Sequence, residues 1–303
     1  MIKIKLSFLL LLIPSLSLAQ DPIFQPEGLV QLGIYTWAIP DNDVGGVPNA
    51  GIVVGEDATL VIDPGLGREN GEIILEVATA LSDNTQFYIV STHYHPEHTT
   101  GYLAFPDSTI YINSVTQENE FASDGERMID FFAGRTPVMG ELLADAERRM
   151  ADITFADDYQ LDLGGARVDM RLVGPTHTAG DTGFFVVEDG VLFTGDVVMN
   201  RSFVAAGENS SISAWLSAFD IFEAMQPRII VPAHGEIGPG SLIEFQRTLV
   251  TGIKNRTENL KAEGFSLEDT AEIVSAEFQG LFPEYPRARG IAALARSAWH
   301  EAE

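Results

Sequence analysis

The sequence predicts an α/β fold, a layered sandwich with two similar halves and a helical extension at the C-terminal end. Three observations predict it. Two runs of short strand-like stretches each close with a helix-patterned segment and one more strand. The pattern turns helical after Gly240 and stays so to the end. Hydrophobic residues make up 45% of the 303, which suffices for a substantial core.

The first run opens with "GLVQLGIYTWAI" (28–39), "AGIVVGED" (50–57) and "ATLVIDPG" (58–65), β-branched and aromatic stretches parted by turn residues. A helix-patterned segment (68–83) then leads into the strand "QFYIV" (86–90). Another strand, "STIYINS" (108–114), precedes a stretch from Thr116 to Met150 rich in charge, Phe and Met. The second run holds "DITFA", "ARVDMRLVG", "GFFVVEDG" and "VLFTGD", and closes with a helix (212–225) and the strand "RIIVPAHG" (228–235). Among the later helices, "LFPEYPRARG" around Pro283 and Pro286 marks a break, and Ser266 with the acids after it reads as an N-cap.

Residues 1–19 read as a signal peptide: Lys3 and Lys5 come first, an apolar stretch runs from Leu6 to Ile13, and small residues precede a cut near Ala19. The apolar stretch is shorter than the roughly 20 residues that span a bilayer, and Pro14 interrupts it. The expectation is export, to a bacterial periplasm, with no membrane anchor after cleavage. Residues 20–240 then form the sandwich, with 241–303 packed on it as a helical segment. Loss of Lys3 and Lys5 leaves 16 of the 18 basic residues against 44 acidic ones, a net charge of −28. Such a chain repels nucleic acid and anionic lipid. The partner expected is a small-molecule substrate. With no cysteine, any metal must be held by nitrogen and oxygen.

Five of the six histidines stand just past the carboxyl end of a strand. His93, His95 and His98 follow "QFYIV", His177 follows "ARVDMRLVG", and His234 follows "RIIVP". Loops at strand ends are where α/β proteins carry functional groups. Two carboxylates join them, Glu97 between His95 and His98, and Asp196 at the end of "VLFTGD". A lone histidine is more often a hydrogen-bonded structural residue, but five placed alike favour metal ligands. Together with two carboxylates they are too many for one four-coordinate ion and enough for two ions sharing a ligand.

In this order "HYHPEH", His177 in "GPTHTAGD", Asp196 in "FTGD" and His234 in "PAHG" resemble the metallo-β-lactamase superfamily. The resemblance spans roughly residues 28–240 and implies that family's αβ/βα four-layer sandwich, with metals at one edge between two sheets. It also implies that His93, His95 and His177 hold one zinc ion. His98, His234 and the Glu97 position would hold a second, with Asp196 bridging. Asp63 matches the family's strand-ending aspartate, a support for the metal loop rather than a ligand. Asp181 caps a turn or orients a ligand. Nitrogen and oxygen ligands also accept iron or manganese.

The usual family motif is HxHxDH, and here the acid is Glu97. One extra methylene moves a carboxylate by about one bond length, far beyond the roughly 0.2 Å tolerance of metal distances. Either the loop compensates or the second site is altered. On this reading Glu97→Asp retains or raises activity if Glu97 is an imperfect ligand. The aspartate at position 196 resembles glyoxalase II, lactonases and related hydrolases more than most true β-lactamases, and the absence of cysteine excludes the branch that has cysteine there.

The reaction implied is hydrolysis, in which water activated by the metals attacks a carbonyl. Glu97 serves as ligand, as proton carrier, or as both. Export favours a β-lactam as substrate; a lactonase, thioesterase, sulfatase or other ester hydrolase is the alternative. An envelope metal-binding protein without turnover is the alternative of another class. Asn200, Arg201 and Ser202 are placed to bind a substrate carboxylate or form a solvated turn. The loop "AIPDNDVGGVPNA" and Trp37 offer a flap over the substrate or an ordinary hairpin. Phe121, Met128, Phe131, Phe132 and Met139 form a lid, a dimer contact or core packing.

Overall fold

The computed structural model describes residues 20–302, so the expected signal peptide lies outside the described residues. In chain order the strands are β1 (Val30–Gln31), β2 (Thr36–Ile39), β3 (Ala50–Val54), β4 (Thr59–Ile62), β5 (Phe87–Val90), β6 (Ile110–Ser114) and β7 (Ile153–Phe155). They continue as β8 (Asp158–Asp162), β9 (Arg167–Leu172), β10 (Thr182–Val186), β11 (Val191–Gly195), β12 (Ile229–Pro232) and β13 (Gly238–Pro239). The helices are α1 (Gly67–Leu81), the single turn α2 (Pro96–Thr99), α3 (Val115–Ala133), α4 (Pro137–Leu142), α5 (Ile212–Ala224), α6 (Leu242–Ala262), α7 (Leu267–Leu281) and α8 (Arg289–Glu301).

Strands β1 to β7 form one sheet in sequence order, and the second runs β13-β12-β11-β10-β9-β8. The period of two sorts their side chains between layers. On β4, Leu60 and Ile62 enter the core between the sheets, where they join Met170, Phe184 and Phe193 of the second sheet. Val61 points the other way, to Ile74 and Ala78 of α1. On β11 and β12, Leu192 and Ile230 face Trp215, Phe219 and the helices α6 to α8. The result is helix, sheet, sheet, helix, the four-layer sandwich expected. Within each half a helix crosses between parallel neighbours, α1 from β4 to β5 and α5 from β11 to β12. The carboxyl ends of these strands therefore share one rim.

Three local differences from the sequence reading have physical causes. The single strand expected over 28–39 is a hairpin of β1 and β2. Its turn closes on Asp189 of the second half, whose carboxylate accepts from Ile34 N–H (2.8 Å), Tyr35 N–H (2.8 Å) and Thr36 Oγ1 (2.8 Å). A Cβ on Gly33 would lie 2.1 Å from Asp189 Cγ, so only glycine admits this approach. Strand β8 was not anticipated, because "DYQLD" buries little beyond Leu161 and exposes acids along a sheet edge. The charged stretch from Thr116 to Met150 is helical through α3 and α4, N-capped by Ser114 and Thr136. Ser266 caps α7 as expected, and the Pro283–Pro286 segment separates α7 from α8. Among the described residues no helix is long and apolar enough to cross a membrane.

Candidate metal centre

Alternation along an extended chain puts His93 and His95, two residues apart, on one side, and directly after them the chain turns into α2. Pro96 opens that turn at a position where proline costs no hydrogen bond. His93 Nε2 then lies 3.0 Å from His95 Nδ1, and His177 Nε2 lies 3.2 Å from the same nitrogen. The donor atoms of these three histidines all fall within 4.8 Å of one another. Glu97, His98 and His234 form a second group under the same limit. Asp196 stands between the two, with Oδ2 3.5 Å from His177 Nε2 and Oδ1 4.0 Å from His234 Nε2. Every residue expected as a metal ligand is thus brought into one cluster.

The partners of the far ring nitrogens fix which nitrogen faces inward. A carbonyl only accepts, so His177 Nδ1–H donates to Ala205 O (2.6 Å) and His234 Nδ1–H to Val47 O (3.0 Å). His98 Nδ1–H donates to Asp63 Oδ2 at 3.0 Å. In the neutral ring each Nε2 then has its lone pair toward the centre, the arrangement that raises ligand basicity and fixes ring orientation. Asp63 also accepts from Thr92 N–H (2.7 Å) and Thr92 Oγ1 (2.9 Å), in a left-handed backbone conformation at φ 56°. Asp181 secures the other loop, for its carboxylate accepts from the Thr176 hydroxyl, Thr178 N–H (2.9 Å) and Thr178 Oγ1 (2.7 Å) on either side of His177. It caps this turn. A residue the sequence reading missed, Glu120 of α3, accepts from Ala179 N–H (2.8 Å) and Gly180 N–H (2.7 Å) in the same loop.

Burial and mutual repulsion hold His93 and His95 well below the usual histidine value, which keeps them neutral as ligands require. Burial likewise lowers His234, to about 4. For His98 burial acts downward too, but the carboxylate of Asp63 outweighs it and carries the imidazole to about 9. Burial pushes Glu97 up to about 7. Burial opposes ionisation of Asp196 as well, yet His234, His177 and Arg287 together hold it well below the ordinary carboxylate range.

Glu97 Oε2, His98 Nε2 and Asp196 Oδ1 are buried and have no hydrogen-bond partner. Such atoms are costly to bury unless something else satisfies them. They belong to the second ligand group and to the Asp196 between the groups, and all three are good donors to a divalent cation. The residues therefore fit a metal centre.

Residues 43–234 match the sequence profile of the metallo-beta-lactamase superfamily. The chain belongs to that superfamily. It is accordingly an enzyme, a metal-dependent hydrolase in class. Among solved structures, a metallo-beta-lactamase from Pontibacter korlensis is similar at 19% identity and a TM-score of 0.59, over 74% of this chain and 98% of that one. The sec-alkylsulfatase Pisa1 from Pseudomonas sp. is similar at 16% identity and a TM-score of 0.66, over 90% of this chain and 50% of that one. The DIM-1 metallo-beta-lactamase is similar at 16% identity and a TM-score of 0.61, over 77% of this chain and 99% of that one. No curated protein matches the chain.

The cluster sits at the rim between the sheets, as the resemblance implied, and His95, Glu97, His177, Asp196 and His234 line a cavity of about 920 Å³. Asn200, Arg201 and Ser202 line this cavity as the sequence suggested. Two of them are already occupied: Asn200 Nδ2 donates to Glu236 O (2.9 Å) and the buried Ser202 Oγ to Phe203 O (2.9 Å). Trp37 is corrected. It lies within β2, packed on the outer core of the first sheet, and is not among the cavity-lining residues. The loop after that strand reaches the cavity instead, through Asp41, Val44 and Gly46. Met128 and Phe132 are buried and line the cavity too, beside Phe131, which is 57% exposed; Phe121 and Met139 pack in the core under α3. Arg135 and Arg287 also line the cavity and were missed, since neither lies near a motif.

Proposed function

We propose that the chain is an exported dinuclear zinc hydrolase of a small anionic molecule, with opening of a β-lactam ring as the leading reading. The carrying observation is the pair of three-residue ligand groups with Asp196 between them. His93, His95 and His177 would hold one ion, and Glu97, His98 and His234 the other; iron or manganese would suit the same donors. Divalent ions so held lower the pKa of water and polarise a carbonyl oxygen.

The chain's own residues do the rest. Asp63, Ala205 and Val47 orient the imidazoles. The two oxygens of Glu97 differ in setting: Oε1 lies 3.9 Å from His98 Nε2, while Oε2 is buried and unpartnered. One can serve the ion while the other takes a proton and returns it to the leaving group. The apolar wall of Met128, Phe131 and Phe132 excludes water on one side and takes up the substrate's apolar part.

An organic sulfate ester is the second reading. It is supported by the likeness to the sec-alkylsulfatase, which extends over 90% of this chain, against 74% and 77% for the two β-lactamases. The deciding experiment is turnover of a chromogenic β-lactam and of an aryl-alkyl sulfate by the zinc-loaded chain, with His95→Ala as blank. β-Lactam turnover lost in His95→Ala supports the leading reading. Sulfate release alone moves the assignment to the second. Unchanged turnover in His95→Ala overturns the metal-centre reading itself.

A further inference from the structure

The chain carries 14 arginines among 44 acidic residues. Among the described residues, ten arginines are engaged with a carboxylate or a backbone carbonyl. Arg135, Arg201, Arg287 and Arg289 are not, and three of these four line the cavity above the metal cluster. In so acidic a chain a guanidinium should readily find a carboxylate, so three left over around one cavity call for an explanation.

Acids of the same cavity do not supply it. Asp41 accepts from Gly235 N–H (2.8 Å) and Asp43 N–H (3.2 Å), and neither it nor Glu236 or Glu284 comes within 4.0 Å of the three guanidinium groups. Arg201 and Arg287 both take left-handed backbone conformations, at φ 51° and 64°, which non-glycine residues adopt at a cost. Arg287 is half-buried and lines the cavity together with Asp41, Asp196 and His234, where its charge is felt. It comes from the segment between α7 and α8, which brings the C-terminal region to the cavity. Arg135 is exposed and lies 5.1 Å over the ring of Phe132.

We propose that Arg287, assisted by Arg201 and Arg135, binds an oxyanion headgroup of the substrate, a carboxylate or a sulfate, while the substrate's apolar arm packs on Phe131 and Phe132. The inference rests on the hydrolase reading for its placement beside the metals. A guanidinium offers two parallel N–H donors that match either anion. The competing role for Arg287 is to offset the charge of Asp196 and Asp41, which would need no ligand.

Binding without turnover separates these roles. Calorimetry on the full zinc-loaded chain compares 4-phenylbutyrate, 4-phenylbutanesulfonate and 4-phenylbutanol, which share an apolar arm and are not hydrolysed. At least one anion is expected to bind about tenfold or more tightly than the alcohol. Arg287→Met should remove most of that preference and leave alcohol binding unchanged. Arg287→Lys keeps the charge without the fork and should retain an intermediate preference, a second reading should Arg287→Met fold poorly. A preference for the carboxylate alone marks a planar headgroup, and one for the sulfonate alone a tetrahedral headgroup; either supports the proposal. Equal binding of all three, binding of none, or an anion preference that survives in Arg287→Met overturns it, since a carboxylate held by the metals alone would give the last result. Failure of both β-lactam and sulfate ester turnover would overturn the two substrate readings and leave this result legible.

Discussion

Asp63 holds His98 by a 3.0 Å hydrogen bond from Nδ1, and it does so from a left-handed backbone conformation that places its carboxylate under the metal loop. The same carboxylate receives two hydrogen bonds from Thr92, so one buried side chain ties the end of β4 to the loop after β5. Asparagine tolerates this backbone region and keeps an acceptor oxygen. Asp63→Asn therefore removes the charge while sparing the fold. Affinity for one of the two proposed ions is expected to fall about 10- to 100-fold, as for other partners of metal-bound histidines. Competition against a chromophoric chelator reads this directly, and two ions held at wild-type affinity would show that Asp63 only shapes the loop.

Asp189 joins the two halves away from the metals. Its loss in Asp189→Ala leaves the buried Thr36 Oγ1 and the N–H groups of Ile34 and Tyr35 without their acceptor. Charge-assisted bonds of this kind are worth more than neutral ones, and an orphaned buried group adds its own cost. A loss of about 2–4 kcal/mol is expected in urea unfolding, with metal content unchanged. A midpoint equal to that of the parent chain would mean that the hairpin turn is held by packing alone.

Both sites show what a single sequence can and cannot disclose. The ligands were legible because each is a rare residue type at the end of a β-rich run, and the sandwich places those ends on one rim. Asp189 was not, because the turn it grips lies 155 residues earlier and Gly33 there looks like a strand interior. Trp37 looked like a flap residue from its neighbours, yet its place inside β2 gives it to the core. Arg287 carried no motif. It reaches the cavity only because the segment after α7 folds back over the rim. Residue type and local pattern thus located the chemistry, while partners fixed by long-range packing stayed hidden.

Glu301 near the end of α8 serves as a remote cap for α5. Its carboxylate accepts from Ser213 N–H (3.0 Å), Ile212 N–H (3.1 Å), Ser211 Oγ (2.9 Å) and Ser297 Oγ (2.6 Å). Burial raises its pKa, but the hydroxyls of Ser213, Ser297 and Ser211 and the Ser213 N–H outweigh burial and leave it below the usual value. A lowered pKa in the folded state stabilises above the unfolded value, near about 4.3 for glutamate, and that contribution is lost as pH falls through the folded value. Glu301→Gln should cost about 1 kcal/mol at pH 7. The gap to the parent chain should close toward pH 3 in urea titrations, and a gap of equal size at both pH values would rule out the charge as its source.

Glu97→Asp bears on the departure from the usual family motif. The sequence alone left two outcomes open: shortening the side chain could repair an imperfect ligand, or could ruin a site built around the longer one. In the structure the Glu97 carboxylate already reaches the second group, with its donor oxygen within 4.8 Å of those of His98 and His234, from the first turn of α2. Removing a methylene withdraws the carboxylate by about 1.5 Å, roughly the length of one backbone Cα–C bond, whereas metal distances tolerate about 0.2 Å. The short helix cannot follow it easily, since Pro96, Glu97, His98 and Thr99 are all buried and His98 is tied to Asp63. The expected outcome is the reverse of repair. Glu97→Asp should weaken the second ion by about tenfold or more and leave the His93, His95 and His177 group loaded. Metal analysis after dialysis against a weak chelator should then find one ion per chain where the parent retains two. Two ions in both proteins, with equal or higher turnover in the variant, would show that the loop has room for the shorter acid and that Glu97 is a tolerated substitute rather than a fitted ligand.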